Sequence, residues 1–172
     1  MFKKFVLFVC VVMVFVSCQN PKKVNSSVDP VNWKKRQTFS HSGLDSLKTG
    51  TTYLSVYSEI YSQTEHITHE LTVTVSMRNV NRKDSIFVAS AQYFDTHGEL
   101  IHSYFEQPIF IAPMETVEIV IDEKDTQGGT GGNFLFDWKQ QSGVLEPLFD
   151  AVMISTSGQQ GLSFSTQGKR IQ

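Results

Sequence analysis

The strongest constraint on the fold of this chain is a strict alternation of apolar and polar side chains. The apolar positions are Leu71, Val73, Val75 and Met77, and single threonine or serine residues separate them. Since successive side chains of a β-strand point to opposite faces, the pattern predicts a strand with one buried and one solvated face. Residues 86–94 are apolar on both faces over their first half, so we expect a central strand there.

Other short segments carry the β pattern and are separated by turn residues. Residues 95–98, with the sequence Asp-Thr-His-Gly, predict a tight hairpin. The remaining predicted strands are residues 52–60, 100–105, 117–122, 134–138, 151–155 and 162–164. Seven or eight short strands without a long helix predict an all-β fold, an antiparallel β-sandwich of the immunoglobulin or fibronectin type. A small β-barrel of the lipocalin kind is the alternative, although its strands are usually longer.

The amino terminus has the pattern of a secretory signal. Lys3 and Lys4 precede an unbroken apolar run over residues 5–16. This run is too short for an ordinary membrane span and matches the apolar core of a signal peptide, which we predict over residues 1–17. A signal peptide cleaved elsewhere and a short uncleaved anchor are the alternatives.

The apolar run ends at Phe15-Val16-Ser17-Cys18, which resembles the bacterial lipobox, although Phe15 stands where leucine is usual. The resemblance implies that Cys18 is diacylated, with fatty acids such as palmitate, and becomes the mature amino terminus. The lipid bilayer is then the first expected partner, reached through acylated Cys18. Similarity to other Gram-negative lipoproteins, with Gln19 rather than aspartate after the cysteine, implies an outer-membrane lipoprotein of the cell envelope that faces the periplasm.

Charge and cysteine content exclude several classes of protein. The chain has 15 basic and 17 acidic residues, which provide no basic surface for nucleic acid. Two cysteines cannot form a disulfide scaffold, and acylation of Cys18 with loss of Cys10 would leave no thiol for catalysis or zinc. Six basic against two acidic residues predict a flexible basic tether over residues 18–48. The β-sandwich domain then covers residues 49–172, with a net charge of −8.

Residues 122–133 form the most unusual segment, an acidic entry followed by four glycines within five residues. Such a loop can wrap an ion with its backbone, but its spacing matches neither an EF-hand nor a phosphate-binding loop. A structural role is the alternative, since turn glycines supply positive φ angles and close approach of strands. Together with the turn at residues 157–161, the loop is a candidate binding surface if both lie at one end of the sandwich. The candidate binding residues are Asp122, Asp125, Gly128, Gly129, Gly131, Gly132, Asn133, Ser157, Gln159 and Gln160.

Two histidines, His66 and His69, are weak candidates for metal ligands because glutamates flank them. Their spacing differs from the helical zinc motif, which has histidines at i and i+4. On a strand they would point to opposite faces, so a third ligand such as His97 or His102 would have to come from a neighbouring strand. A solvated strand or loop is the alternative interpretation.

Three tyrosines, Tyr53, Tyr57 and Tyr61, recur every four residues and are expected on one face of their segment. Exposed tyrosines in a row can stack on sugar rings. The alternative is a cross-strand ladder of rings that covers one face of a sheet.

Five stretches of the chain, at residues 53–61, 77–79, 93–95, 125–134 and 156–164, carry specific motifs. The most specific are the Gly-rich loop and the Ser-Gly-Gln-Gln-Gly turn. Together they resemble a family of small bacterial envelope proteins known only as a domain of unknown function. The resemblance covers about residues 50 to 170 and implies a sandwich-like domain, often behind a lipobox. It implies no activity, substrate or cofactor.

The expected function is therefore that of a membrane-anchored binding or structural module of the cell envelope. An envelope protein or a glycan is the expected partner, and neither nucleic acid nor a cofactor is expected. No catalytic residue is predicted, since no serine, histidine and aspartate have the spacing of a triad. A metal-dependent hydrolase that uses His66 and His69 is the alternative.

Overall fold

The structure is a computed structural model that describes residues 32–37, 46–156 and 161–172. The predicted signal peptide and Cys18 lie outside the described residues, so their roles stay predictions. The described part of the chain contains one short α-helix, one 3-10 turn at Gly129–Gly131 and twelve β-strands. They are α1 (Trp33–Arg36), β1 (Lys48–Ser55), β2 (Glu59–Ser62), β3 (Thr64–Glu70), β4 (Thr72–Arg78), β5 (Ile86–Phe94), β6 (Leu100–Ser103), β7 (Ile109–Ile111), β8 (Thr116–Ile121), β9 (Asn133–Gln140), β10 (Leu148–Ser155), β11 (Leu162–Gln167) and β12 (Lys169–Arg170).

Two antiparallel sheets pack face to face around one core. The larger sheet has the order β12-β1-β9-β5, with β6 and β7 both paired to the far side of β5. The smaller sheet has the order β11-β10-β4-β8. The two sheets do not close on each other, which confirms the predicted antiparallel β-sandwich over its alternative.

A column of aromatic rings runs through the core and joins the two sheets. Tyr93 of β5 stacks on Phe134 of β9 with ring centroids 4.8 Å apart. Phe134 lies 5.4 Å from Phe136, which lies 4.3 Å from Phe149 of β10 in the opposite sheet. These rings are almost fully buried, and such offset pairs stabilise a core beyond the area that they bury.

The strand predictions are confirmed where one face is buried and were wrong at two places. The predicted strand over residues 52–60 is divided, because the Val56 and Ser58 N–H groups donate to carbonyls of the Gly-rich loop instead of a strand. The nearly continuous apolar run at residues 151–155 predicts a buried strand, but Val152 and Ile154 of β10 lie exposed on the outer face. β5 spans the predicted residues and lies between β9 and the β6 and β7 strands, as expected for a central strand.

A two-stranded ribbon of β2 and β3, here called the β-arm, is separate from both sheets. Its base is closed by the Leu71 N–H, which donates to the Ser58 carbonyl at 2.8 Å. All seven residues of β3 are exposed. The β-arm therefore extends from the sandwich at the end where the Gly-rich loop lies, since Ser58 also binds Gly129.

The α1 helix lies within the predicted tether and packs against the side of the sandwich. Trp33 contacts Tyr104 and Phe105, with ring centroids 6.4 and 5.2 Å apart. Gln37 forms an isolated β-bridge with Ile109 of β7. This part of the tether thus has a fixed position on the domain. No helix in the described ranges has the length and apolar character that crossing a membrane requires.

Candidate functional site

The Gly-rich loop is packed too tightly for side chains at several of its glycines. A Cβ added to Gly128 would lie 1.8 Å from the Tyr93 hydroxyl, and one added to Gly132 would lie 3.1 Å from the Gly128 carbonyl oxygen. Gly129 has a φ of 64°, a left-handed conformation that favours glycine. A positive φ angle and close approach of neighbouring atoms are what we expect if the glycines have a structural role.

Two hydroxyl side chains hold the loop in place. Thr96, in the hairpin after β5, donates from its Oγ1 to the Gly128 carbonyl and accepts from the Gly131 N–H, both at 3.0 Å. The buried Ser58 donates from its Oγ to the Gly129 carbonyl at 3.2 Å. The loop is thereby fixed from the hairpin side and from the base of the β-arm.

The aspartates at the start of the loop accept hydrogen bonds from residues within the same loop. Asp122 Oδ1 accepts from the Lys124 N–H at 2.9 Å, and Asp125 Oδ1 accepts from the Gln127 side chain at 3.0 Å. Asp125 is buried. Within the described ranges, no three histidine, cysteine, aspartate or glutamate residues form a group that could hold a metal ion. In this structure the two aspartates shape the backbone of the loop.

The phenol of Tyr93 lies directly beneath Gly128. Burial raises the pKa of Tyr93, and the carboxylates of Asp125 and Asp95 raise this pKa further, while the adjacent Ser58 hydroxyl lowers it. Among the described residues, no group meets the distance and angle of a hydrogen bond to the Tyr93 hydroxyl. The phenol is thus neutral near pH 7 and serves as a packing group.

The second predicted loop, with Ser157, Gln159 and Gln160, falls outside the described residues, but its flanking strands are placed. Ser155 at the end of β10 pairs with Leu162 at the start of β11. Tyr57, between β1 and the β-arm, contacts Phe164 of β11 with ring centroids 5.8 Å apart. The flanking strand ends therefore lie at the end of the sandwich that carries the Gly-rich loop.

The two candidate metal ligands lie on the exposed β-arm. His69 pairs with Ile60 of β2. His66 Nε2 lies 3.5 Å from Glu65 Oε1, and both side chains are highly exposed. His102 is distant in the chain and packs edge-on against Tyr104 of the sandwich. The described geometry brings no third ligand to the two histidines.

The three tyrosines do not share a face. Tyr53 lies on β1 and Tyr61 on β2, while Tyr57 lies between these strands and packs against Phe164. The expectation of one face was wrong because the chain leaves the sheet at Val56.

A cleft of about 400 Å³ opens at the end opposite the Gly-rich loop. The two ends are defined by β1 and β9, in which Lys48 pairs with Gln140 and Ser55 pairs with Asn133. We call this feature the end cleft. It is lined by Lys48, Thr49, Trp138, Gln140, Gly143, Val144, Leu145, Glu146 and Arg170.

Arg170 is held in a fixed position at the end cleft. Its guanidinium lies over the Trp138 ring, 5.2 Å from the centroid, and forms an ion pair with Glu146. Its Nε donates to the Gln172 carbonyl at 2.7 Å. A guanidinium held in this way is preorganised for an anionic group, because less side-chain freedom is lost on binding.

Gln140 supplies a buried acceptor at the same cleft. The residue is 4% exposed, and within the described part of the chain its Oε1 has no hydrogen-bond partner. A buried acceptor without a donor costs about 1–3 kcal/mol, so a water held beneath the cleft surface would stabilise this side chain.

A second cleft, of about 630 Å³, lies between α1 and the edge strand β8. Arg36 Nη2 donates to Glu115 Oε1 at 2.7 Å across its floor, and this hydrogen bond holds the pKa of Glu115 below its usual range. Glu118 and Val120 of β8 also line this cleft. This cleft exists only because α1 is docked.

A family model described as a protein of unknown function, DUF3124, matches residues 49–171. The chain belongs to this family. The match confirms the resemblance to a domain family of unknown function over residues 50–170, and the family description names no activity. No curated protein and no solved structure matches the chain.

Sequence reasoning missed the end cleft of this DUF3124 domain. Its lining comes from three distant stretches of the chain, at residues 48–49, 138–146 and 170. None of these stretches has an unusual composition, and only the pairing of β1 with β9 and β12 brings them together. The sole local signal is the turn at Gly143, whose φ is 87°.

Proposed function

We propose that this protein is a lipoprotein of the bacterial outer membrane whose β-sandwich is a binding module on the periplasmic side of the cell envelope. The signal pattern of residues 1–17 and the position of Cys18 support export and acylation. Each buried CH₂ group of an acyl chain contributes about 0.8 kcal/mol, so two or three chains give stable anchoring.

The end cleft is the proposed ligand site, and the fixed guanidinium of Arg170, which lines the cleft together with Lys48, is the observation that carries this assignment. A ligand there must present negative charge to Lys48 and Arg170 and hydrogen-bond donors to Glu146, which also lines the cleft. Small carboxylates with hydroxyl or amide donors meet both requirements, as in sugar acids and peptide carboxyl termini. This ligand class agrees with the glycan or protein partner expected from the sequence.

Binding is tested by thermal unfolding of the purified full chain with a panel of uronic acids and short peptides. A ligand at about 100 times its Kd stabilises a protein by about 2.7 kcal/mol, which raises Tm by several degrees. We expect at least one probe to raise Tm, and Arg170→Gln to remove the increase. Lys169→Gln, next to Arg170 but outside the cleft lining, is the matched control. An increase that persists in Arg170→Gln would place the ligand elsewhere.

Anchoring is tested separately by fractionation of cells that produce the full chain. Wild-type protein is expected in the outer-membrane fraction, and Cys18→Ala in the soluble envelope fraction. If Cys18→Ala still fractionates with membranes, the lipid anchor is refuted, whatever the outcome of the ligand experiment.

A further inference from the structure

The end cleft carries charges of both signs close together. Glu146 and Arg170 form an ion pair at its surface, with side chains 45% and 47% exposed. Arg170 Nη2 also lies 3.5 Å from the Thr49 carbonyl oxygen, so the guanidinium reaches the residue next to Lys48. Lys48 is exposed, and no carboxylate in the described ranges lies within ion-pair distance of its ammonium. The cleft therefore offers two cations and one anion to a ligand.

The loop that carries Glu146 is fixed at the preceding residue. The Leu145 N–H donates to Asn81 Oδ1 at 2.8 Å, and Asn81 Nδ2 donates to the Leu145 carbonyl at 2.9 Å. Asn81 is buried, so these hydrogen bonds hold the loop from inside the domain. Since Arg170 is held over Trp138, both partners of the ion pair are in place before a ligand arrives.

Glu146 can bind a second donor while it remains paired. Arg170 Nη1 contacts Oε1, and Oε2 forms no hydrogen bond within the part of the chain that the structure describes. An ionised carboxylate accepts hydrogen bonds through both oxygens. A ligand carboxylate bound to Arg170 would lie beside Glu146 and be repelled by it. Glu146 thus attracts a cationic group and disfavours a ligand that carries only negative charge.

We propose that the ligand of the end cleft is a zwitterionic α-amino acid, an inference that rests on the proposed function of this cleft. The carboxylate of the ligand binds Arg170 and Lys48, and its ammonium binds Glu146. The two charged groups of an α-amino acid are attached to one carbon atom, so they match a guanidinium and a carboxylate that are themselves in contact. A sugar acid has the negative charge but no cation for Glu146.

The apolar part of the cleft lining indicates which amino acids fit. Leu145 is 61% exposed, and Val144 is partly buried against the core. Both residues line the cleft beside Glu146, so an apolar ligand side chain can pack on them. The cleft volume of about 400 Å³ lies within the range of about 300–1,000 Å³ that is usual for small-molecule sites. An amino acid of the size and polarity of leucine meets these conditions.

Titration calorimetry of the purified full chain tests the ligand class with three probes that share one side chain. Leucine carries both charges, N-acetyl-leucine lacks the ammonium, and leucinamide lacks the carboxylate. We expect leucine to bind about fivefold more tightly than either analogue, because each analogue loses one partly exposed ion-pair contact.

Equal affinities for leucine and N-acetyl-leucine would overturn the zwitterion and leave an anion site in the cleft. The same conclusion follows if leucine does not bind while a uronic acid or a short peptide does. If none of these probes binds, the end cleft is not a ligand site, and the proposed function fails with the inference.

Glu146→Gln tests which residue recognises the ammonium. We expect this variant to bind leucine and N-acetyl-leucine within about twofold of each other, with N-acetyl-leucine bound more tightly than by the wild type, because the repelling charge is gone. Glu70→Gln removes an exposed carboxylate on the β-arm, at the other end of the sandwich, and is the matched control that should keep the preference for leucine. A preference for leucine that persists in Glu146→Gln would also overturn the proposal.

Discussion

Gly128 shows how one missing side chain determines the packing of a whole loop. We predict that Gly128→Ala destabilises the protein by about 2 kcal/mol, because its Cβ would overlap the Tyr93 hydroxyl in a packed site. The midpoint of urea unfolding measures this change. Gly161→Ala is the control, since its Cβ would meet only the Ser155 carbonyl oxygen at 3.9 Å.

The same contact predicts a partial rescue. Tyr93→Phe removes a buried hydroxyl that has no hydrogen-bond partner among the described residues, so alone it should not destabilise the protein and should stabilise it by up to about 1 kcal/mol. Combined with Gly128→Ala, it should recover part of the lost stability. If the two substitutions are simply additive in urea unfolding, the overlap is not the cause.

The buried side chain of Asn79 links the turn that follows β4 to strand β7. Its Nδ2 lies within hydrogen-bond distance of the carbonyls of Asp84, Ile111 and Ala112, at 2.8 to 3.0 Å, and its Oδ1 accepts from the Asn81 N–H. We predict that Asn79→Ala destabilises by about 3 kcal/mol, because several buried backbone groups lose their partner. Urea unfolding measures this, with the exposed Gln141→Ala as the control. A loss below 1 kcal/mol would mean that water replaces the amide.

At these positions the sequence predicts the backbone conformation better than it predicts which residues are in contact. Four closely spaced glycines predict positive φ and close approach, and both occur at Gly128 and Gly129. The partner of Gly128 was not predictable, because Tyr93 is distant in the chain and nothing in its local pattern points to the loop. Gln140 was missed for the same reason.

Strands were predictable where burial leaves a periodic pattern. β4, β5, β8 and β9 each place an apolar face against the core and were found from the sequence. β3 has no buried face, so its residues leave no such pattern. β7 has three residues, too few to show a period. α1 has four residues and is positioned by the tertiary contacts of Trp33 rather than by helix propensity.

Docking of α1 predicts a pH dependence. Arg36 lowers the pKa of Glu115 in the folded state, so the pair adds stability above the unfolded-state pKa, near 4.3, and loses it as pH falls through the lower folded-state pKa. Between about pH 5 and pH 3, Tm of the wild type should therefore fall more steeply than Tm of Glu115→Gln. The contribution of this ion pair to the free energy of unfolding should stay below about 1 kcal/mol, because the pair is partly exposed.

The matched control is Glu70→Gln, which removes an exposed carboxylate on the β-arm. Its Tm should fall with decreasing pH as steeply as that of the wild type. If Glu115→Gln and the wild type have the same slope, the ion pair does not contribute to stability.

The molecule as described is held together by its aromatic column and two sheets, and the described residues provide no group for a metal ion. We therefore predict that EDTA leaves Tm unchanged within about one degree, since a ligand that binds only the folded state would lower Tm on removal. Thermal unfolding before and after chelation measures this. A fall of several degrees would instead favour the metal site at His66 and His69.

The chain has two tryptophans, and the fold places them at two separate sites. Trp33 belongs to the docked helix, and Trp138 lies beneath Arg170 at the end cleft. Each is thus an intrinsic fluorophore for one process. With Trp138→Phe, emission reports only whether the helix is docked; with Trp33→Phe, it reports only what enters the cleft. Release of the tether and ligand entry can therefore be followed as two optical signals without an added dye.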